Sequence, residues 1–337
     1  MSLRKIQNSA FAGISSEKNK IASKNDASAL ANTGEYARLH QQFLAAATSP
    51  NTRRAYQTAI RQFLRAGFVL PATEQMLRDY LLTHAASLKS STLSLRIAAL
   101  SSWHTLQGFD DPTANPDIRK LLTGIRRTHG TPTKKAAPVD SAMLSAVCER
   151  LSKQGDLAAH RDMALLCLGF SGGFRRSELA ALKAEDLQWE KRGVVILLPR
   201  SKTDQTGEGL QKAIPYTNEG SCAATLLKRW LAAASITQGP VFRAINQWGQ
   251  LSANAMTGHG INLVIKKHLQ DEAGPNQAIS SHSLRRGMAT EAYHAGASFR
   301  AIKRQGGWRS DTTVHRYIAD ADLFEESVVT QIAKRKP

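Results

Sequence analysis

Residues 128–139, THGTPTKKAAPV, divide this chain into two parts with different folding patterns. The segment holds a glycine, two prolines and two lysines, and has neither helical nor strand periodicity, which is the composition of a connection. Before it, the apolar residues recur at helical spacing. After it, helical runs flank short stretches that read as strands. The expected fold is therefore mainly α with a small antiparallel sheet, in a helical N-terminal domain followed by a second, mixed domain. A length of 337 residues lets both build a core.

Local signals set the expected boundaries. Residues 1–33 are polar and rich in Ser, Ala, Asn and Lys, and read as a flexible tail. Residues 34–127 read as a helical domain. A helix covers 35–47, and Pro50 opens the next, with Tyr56, Ile60, Phe63 and Leu64 on one face and Gly67 as its stop. Thr73 caps a third, carrying Leu77, Tyr80 and Leu81. A fourth follows Ser90, with Leu93, Ile97 and Leu100 inward and Gly108 as terminator. Asn115-Pro116 starts a fifth, with Ile118, Leu121, Leu122 and Ile125 at helical spacing. After the linker at 128–139, Asp140 caps the first helix of the second domain, residues 140–320. Strands are expected at 187–189, 194–198 and 212–216, with 201–209 as a polar hairpin loop. Helices return at 223–234, 256–269, 283–294 and 299–304. Residues 321–337 carry Leu323, Phe324, Val328 and Ile332, the pattern of an amphipathic helix.

Lys and Arg number 45 against 27 Asp and Glu, a formal net charge of +18. Such an excess favours a polyanionic partner, and nucleic acid ahead of a membrane surface. No long uncharged apolar run or N-terminal apolar core argues for spanning or secretion, so a cytoplasmic location is expected. Cys148, Cys167 and Cys222 form no CxxC pair and read as reduced core residues. The ten histidines show no metal-ligand spacing, so no metal is expected. Arg53, Arg54, Arg119, Lys120, Arg126, Arg127, Lys134 and Lys135 form a candidate phosphate-contacting set, although any one of them alone reads better as a solvated surface charge.

The chemistry-bearing residues are scattered over the C-terminal half. They are Arg175 in GGFRRSEL, Lys202 in RSKTDQTGEG, His282 and Arg285 in HSLRR, Trp308 in GGWRS, and Tyr317 in HRYIAD. Two arginines can clamp a phosphate, a lysine and a histidine can move protons, and a tyrosine can hold a phosphate covalently. Glu178 stands one helical turn beyond Arg175 and can orient it. Arg176 and Arg286 are adjacent competitors for the two arginines. Lys212 is a rival to Lys202 that lies on a strand, and Tyr216 and Tyr293 are rivals to Tyr317.

In this order, Gly-x-Arg-x-x-Glu-Leu, a hairpin lysine, His-x-x-Arg, Gly-Trp and Tyr, the C-terminal half resembles the catalytic domain of the tyrosine recombinase (phage integrase) family. The whole chain resembles its simple two-domain, Cre-like members. The resemblance implies a core-DNA-binding role for the first domain and catalysis by the second, with no cofactor. It implies that Tyr317 forms a 3′-phosphotyrosyl link, and that Arg175 and Arg285 hold the non-bridging oxygens. Lys202 would protonate the leaving 5′-oxygen, and His282 would handle the tyrosine proton or bond the phosphate. Trp308 departs from the commoner histidine, but its indole N–H can still donate to phosphate. The implied partner is duplex DNA with an inverted-repeat core site. Dimers would form on each site and a tetramer in the synapse, joined through the C-terminal helix. Type IB topoisomerase activity and a non-catalytic DNA-binding regulator are the alternatives on the same scaffold. A basic structural nucleoid protein would satisfy the composition but leave the motifs without a use.

Overall fold

A computed structural model describes residues 47–131, 136–198, 209–274 and 277–319, together with positions 329 and 332. The expected tail, most of the helix at 35–47, Lys134, Lys135, Lys202 and most of the C-terminal segment lie outside these described residues. The chain divides into two compact units between residues 132 and 133.

In the first unit, helix α1 (Pro50–Arg65) starts at Ser49, whose hydroxyl accepts from the Thr52 N–H at 3.2 Å, with proline in the first turn. Helix α2 (Glu74–His84) is capped by Thr73, and α3 (Ser90–Gln107) ends on left-handed Gly108. A 3₁₀ turn at Pro112–Ala114 leads into α4 (Pro116–His129), whose cap is Asn115. This last helix runs two residues into the segment expected as linker.

The unit's core joins Phe63, Leu77, Tyr80, Leu81, Leu93, Leu100 and Ile118. Leu64, expected inward, is 41% exposed. Phe63 takes the inward seat, with its ring 5.1 Å from Phe68 and 4.9 Å from Tyr80, and the next residue is turned by about 100° around the helix. His104 is fully buried, with its Nε2 accepting from the Ala72 N–H at 2.9 Å and its Nδ1 2.8 Å from the Leu100 carbonyl. That pattern requires the neutral Nδ1–H tautomer.

The second unit opens on the Asp140 cap of α5 (Ser141–Gln154). Helix α6 (Leu157–Ser171) is buried along most of its length and forms the centre of the unit. Then come α7 (Arg176–Ala181), strands β1 (Leu187–Glu190), β2 (Gly193–Leu198) and β3 (Leu210–Pro215), and α8 (Ala223–Ala233). The three strands form an antiparallel sheet in sequence order, pairing Val194 with Ile214 and Ile196 with Lys212. A hairpin absent from the sequence expectations follows: β4 (Arg243–Ile245) with β5 (Leu251–Ala255). Its strands are short, largely polar and offset by a register shift, so they carry no clean period-two signal.

Helices α9 (Gly258–Leu269), α10 (Ser281–His294), α11 (Phe299–Gly306) and α12 (Asp311–Ala319) complete the described chain. Residues 136–139 belong to this unit. The Ala137 N–H donates to the Ala278 carbonyl at 3.0 Å, and Val139 is fully buried. A Cβ on Gly287 would lie 1.7 Å from the Val139 carbonyl oxygen, so glycine is what lets α10 meet this strand of chain. The segment is docked by its backbone, which corrects the expectation of a linker throughout. Deeper in, Asp162 receives Arg161 at 2.7 Å and His268 Nε2 at 2.8 Å, so the buried carboxylate is paired on both oxygens. Cys148, Cys167 and Cys222 are free thiols in the core, as expected.

Candidate active site

The site begins where α6 ends. The chain turns at Gly172 and Gly173, the latter at φ +52°, and this turn sends Phe174 inward and leaves Arg175 at the start of α7. Glu178, 5% exposed, holds Arg175 twice. One carboxylate oxygen accepts the Arg175 backbone N–H at 2.9 Å, and the other accepts Nη1 at 2.5 Å. Arg175 Nη2 reaches the Gly307 carbonyl at 3.4 Å. Glu178 thus lies one turn beyond Arg175 and bonds it, at the spacing noted in the sequence. Arg176 instead lies exposed alongside Gly258.

Helix α10 contributes Arg285, which is 2% exposed and donates from Nη1 to the Gly173 carbonyl. Burial, and then the neighbouring Arg175, push its pKa down to about 10, while Glu178 and the Tyr317 hydroxyl favour its charged form. It therefore stays cationic at neutral pH. The adjacent Arg286 turns away and donates to the Ala136 carbonyl at 2.9 Å. His282, one turn before Arg285, is exposed at the helix start.

The third side of the site comes from α11 and α12. Gly306 has no room for a side chain, because a Cβ there would fall 1.9 Å from the Trp308 ring. Gly307, at φ +64°, then turns the chain so that Trp308 is buried. The ring centroid of Trp308 lies 4.8 Å from the Arg285 guanidinium carbon and 5.3 Å from the Tyr317 ring. Tyr317 is half-buried on α12, which is anchored by the fully buried Val314. Arg175, Glu178, Arg285, Trp308 and Tyr317 are thus gathered from three separate stretches of chain.

Lys212 joins them from β3. It is 1% exposed, donates to the carbonyls of Gly172 and, at 2.7 Å, Gln305, and lies 4.6 Å from the Phe174 ring centroid. Burial is the main cause that brings its pKa down to about 7. Glu178 opposes the shift, and Arg285 and Arg175 add to it. The sequence did carry a signal for this residue. Lys212 occupies the same face as buried Ile214, a position where strand alternation calls for an apolar side chain.

The gathered groups form a cationic pocket with one carboxylate, and a tyrosine at its edge. Among the described residues there is no group of three or more His, Cys, Asp or Glu that could hold a metal ion. No helix among them is long and apolar enough to cross a membrane. In the first unit Arg54, Arg119, Lys120, Arg126 and Arg127 are exposed, and Arg53 is half-buried.

Residues 141–323 match the model of the phage integrase family. The chain is 34% identical over 267 residues to an integrase/recombinase XerD homolog of Selenomonas ruminantium, covering 78% of each protein. It is 28% identical over 285 residues to tyrosine recombinase XerC of Chromobacterium violaceum, covering 81% of this chain and 86% of the relative. Among solved structures, XerH site-specific recombinase bound to palindromic difH aligns with a TM-score of 0.58 at 18% identity, over 84% of this chain and 79% of that one. A lambda integrase dimer bound to a core site aligns at 0.56 and 13% identity, over 88% and 98%. These structures share the fold. The chain belongs to the phage integrase family of tyrosine recombinases.

Proposed function

We propose that this protein cuts and rejoins duplex DNA at a specific site through a covalent phosphotyrosine, with no energy cofactor. The observation that carries the reading is the gathering of two arginines and a tyrosine: Glu178 holds Arg175, whose charge is felt at Arg285, and Arg285 packs on Trp308, which lies against Tyr317. Arg175 and Arg285 hold the two non-bridging oxygens of the scissile phosphate. Tyr317 attacks phosphorus, its proton passes toward His282, and the 5′-oxygen leaves with a proton from Lys202. One P–O bond forms as another breaks, so the 3′-phosphotyrosyl link keeps the bond energy for religation. Trp308 donates its indole N–H to the phosphate. Catalysis then rests on positioning and on stabilising charge in the transition state.

Two protomers occupy an inverted-repeat core site, and two such sites pair as a tetramer that exchanges strands through a Holliday junction. Three features support this reading. The XerH structure holds a palindromic substrate, and the lambda integrase structure is a dimer on a core site. Val329 and Ile332 near the C-terminus are helical and 74% and 59% exposed, apolar surface suited to a neighbouring protomer. The exposed arginines and lysines of the first unit, with Lys134 and Lys135, contact phosphates.

The test is covalent trapping on nicked suicide duplexes drawn from a library of randomised inverted repeats, without metal or ATP. Wild type is expected to give SDS-resistant adducts that reveal the site, and Tyr317→Phe to bind that site without forming any. An adduct with Tyr317→Phe would place the nucleophile elsewhere. Tight, specific binding without an adduct from either protein would make the chain a regulator. Supercoil relaxation without site pairing would make it a topoisomerase.

A further inference from the structure

We propose that Lys212 is a positioning residue of the phosphate pocket: its ammonium ties the turn that carries Arg175 to the end of the helix that leads into Trp308, and adds a third positive charge behind the two arginines. This inference rests on the recombinase reading above and deepens it.

The geometry is that of a strut. The Gly172 carbonyl lies three residues before Arg175, and the Gln305 carbonyl three residues before Trp308. Lys212 Nζ donates to both. Arg175 also bridges the two turns by bonding the Gly307 carbonyl, and Arg285 bonds the Gly173 carbonyl while packing on the Trp308 ring. Lys212 is the most deeply buried of the three at 1% exposed. An apolar residue would fill its seat on β3 at far lower desolvation cost. Its direct partners are neutral carbonyls and the face of Phe174. Glu178 favours the charged form of Lys212 but is already engaged by Arg175. Three cations against one carboxylate repel one another until an anion enters. A phosphate relieves that repulsion, so pocket occupancy and the Lys212 proton favour each other.

Buried among carbonyls, Lys212 does not reach a leaving oxygen. Its role is therefore separable from that of a proton donor. A neutral amine still has two N–H groups for the two carbonyls, so alkaline pH removes the charge and spares the strut.

The experiment compares wild type with Lys212→Met on two nicked suicide duplexes carrying the selected site. One has the ordinary 5′-oxygen at the scissile phosphate, and the other a bridging 5′-sulfur that leaves without a proton. Lys212→Met is expected to melt no lower than wild type, to bind the duplex, and to form adduct roughly a hundredfold more slowly on both substrates. Rates within about twofold of wild type overturn the proposal. So does restoration by sulfur, which would make Lys212 the proton donor. Should Lys212→Met fail to fold, calorimetry of Tyr317→Phe binding the intact site at about pH 8, in buffers of different ionisation enthalpy, decides instead. The expected result is uptake of about one proton, retained when His282→Gln is added. No uptake overturns the proposal. A wild type that forms no adduct defeats the recombinase reading, and the calorimetric arm, which needs binding alone, still judges Lys212.

Discussion

The Arg285 guanidinium carbon sits 4.8 Å from the centroid of the Trp308 ring, with both residues buried. The pair joins a helix to the turn before the helix that carries Tyr317, since Trp308 also lies 5.3 Å from the Tyr317 ring. A cation over an indole face is stabilised by the ring quadrupole, the more so when desolvated. Tryptophan thus supplies what a histidine at this place could not. It is a large neutral surface that fixes an arginine on one side and a tyrosine on the other, in a pocket already crowded with positive charge.

That surface depends on the glycine beneath it. Gly306→Ala would put a methyl group 1.9 Å from the Trp308 ring, so the ring must move. The expected cost is roughly 1–3 kcal/mol of stability, as for other overpacked sites. Thermal unfolding reads the stability. Adduct formation should fall by more than the stability loss explains, because Arg285 and Tyr317 both lose their contact.

Glu178 is the buried partner of Arg175. Glu178→Ala leaves the guanidinium uncompensated and is expected to cost roughly 3 kcal/mol, the lower end for breaking a buried pair, because Arg175 keeps some solvent access. Glu178→Gln keeps an acceptor for the backbone N–H and should cost less. Urea denaturation of the two variants checks the order. Equal losses would show that Glu178 acts through its charge alone and that the bond to the backbone N–H adds nothing.

Lys212 makes stability depend on pH in a defined window. Its pKa falls from an ordinary 10.5 to about 7 in the folded protein, so between these values the unfolded chain binds more protons. Stability therefore rises as pH climbs from about 7 to 10.5, and this contribution is lost as pH falls through about 7. Lys212→Met lacks this dependence. Denaturation of both proteins at about pH 6 and about pH 9 should show wild type gaining on the variant at the higher pH. A constant difference would contradict the burial of a titrating lysine.

Arg126 and Arg127 lie exposed in the last turn of α4. If each neutralises one phosphate, alanine at either should weaken binding to every duplex alike. The slope of log affinity against log salt should fall by about one per arginine removed. Fluorescence anisotropy over a salt series measures it. A changed site preference at constant slope would assign base reading to that residue instead.

The sequence by itself determined the helical frame and the order of the candidate site residues. Thr73, Asn115 and Asp140 cap their helices as expected, because a cap is a bond between residues two or three apart and needs no distant partner. The spacing of Arg175 and Glu178 was legible for the same reason. The tertiary structure alone decided what depends on neighbours far along the chain. It buried Lys212 between carbonyls 40 and 93 residues away. It turned Leu64 outward because Phe63 found two aromatic partners. It sent Arg285 to the Gly173 turn and Arg286 to residue 136. It also paired β4 with β5, whose short polar strands announce nothing in isolation. Burial is a property of the packed whole, and a lysine on a strand looks solvent-facing until the elements that cover it are in place.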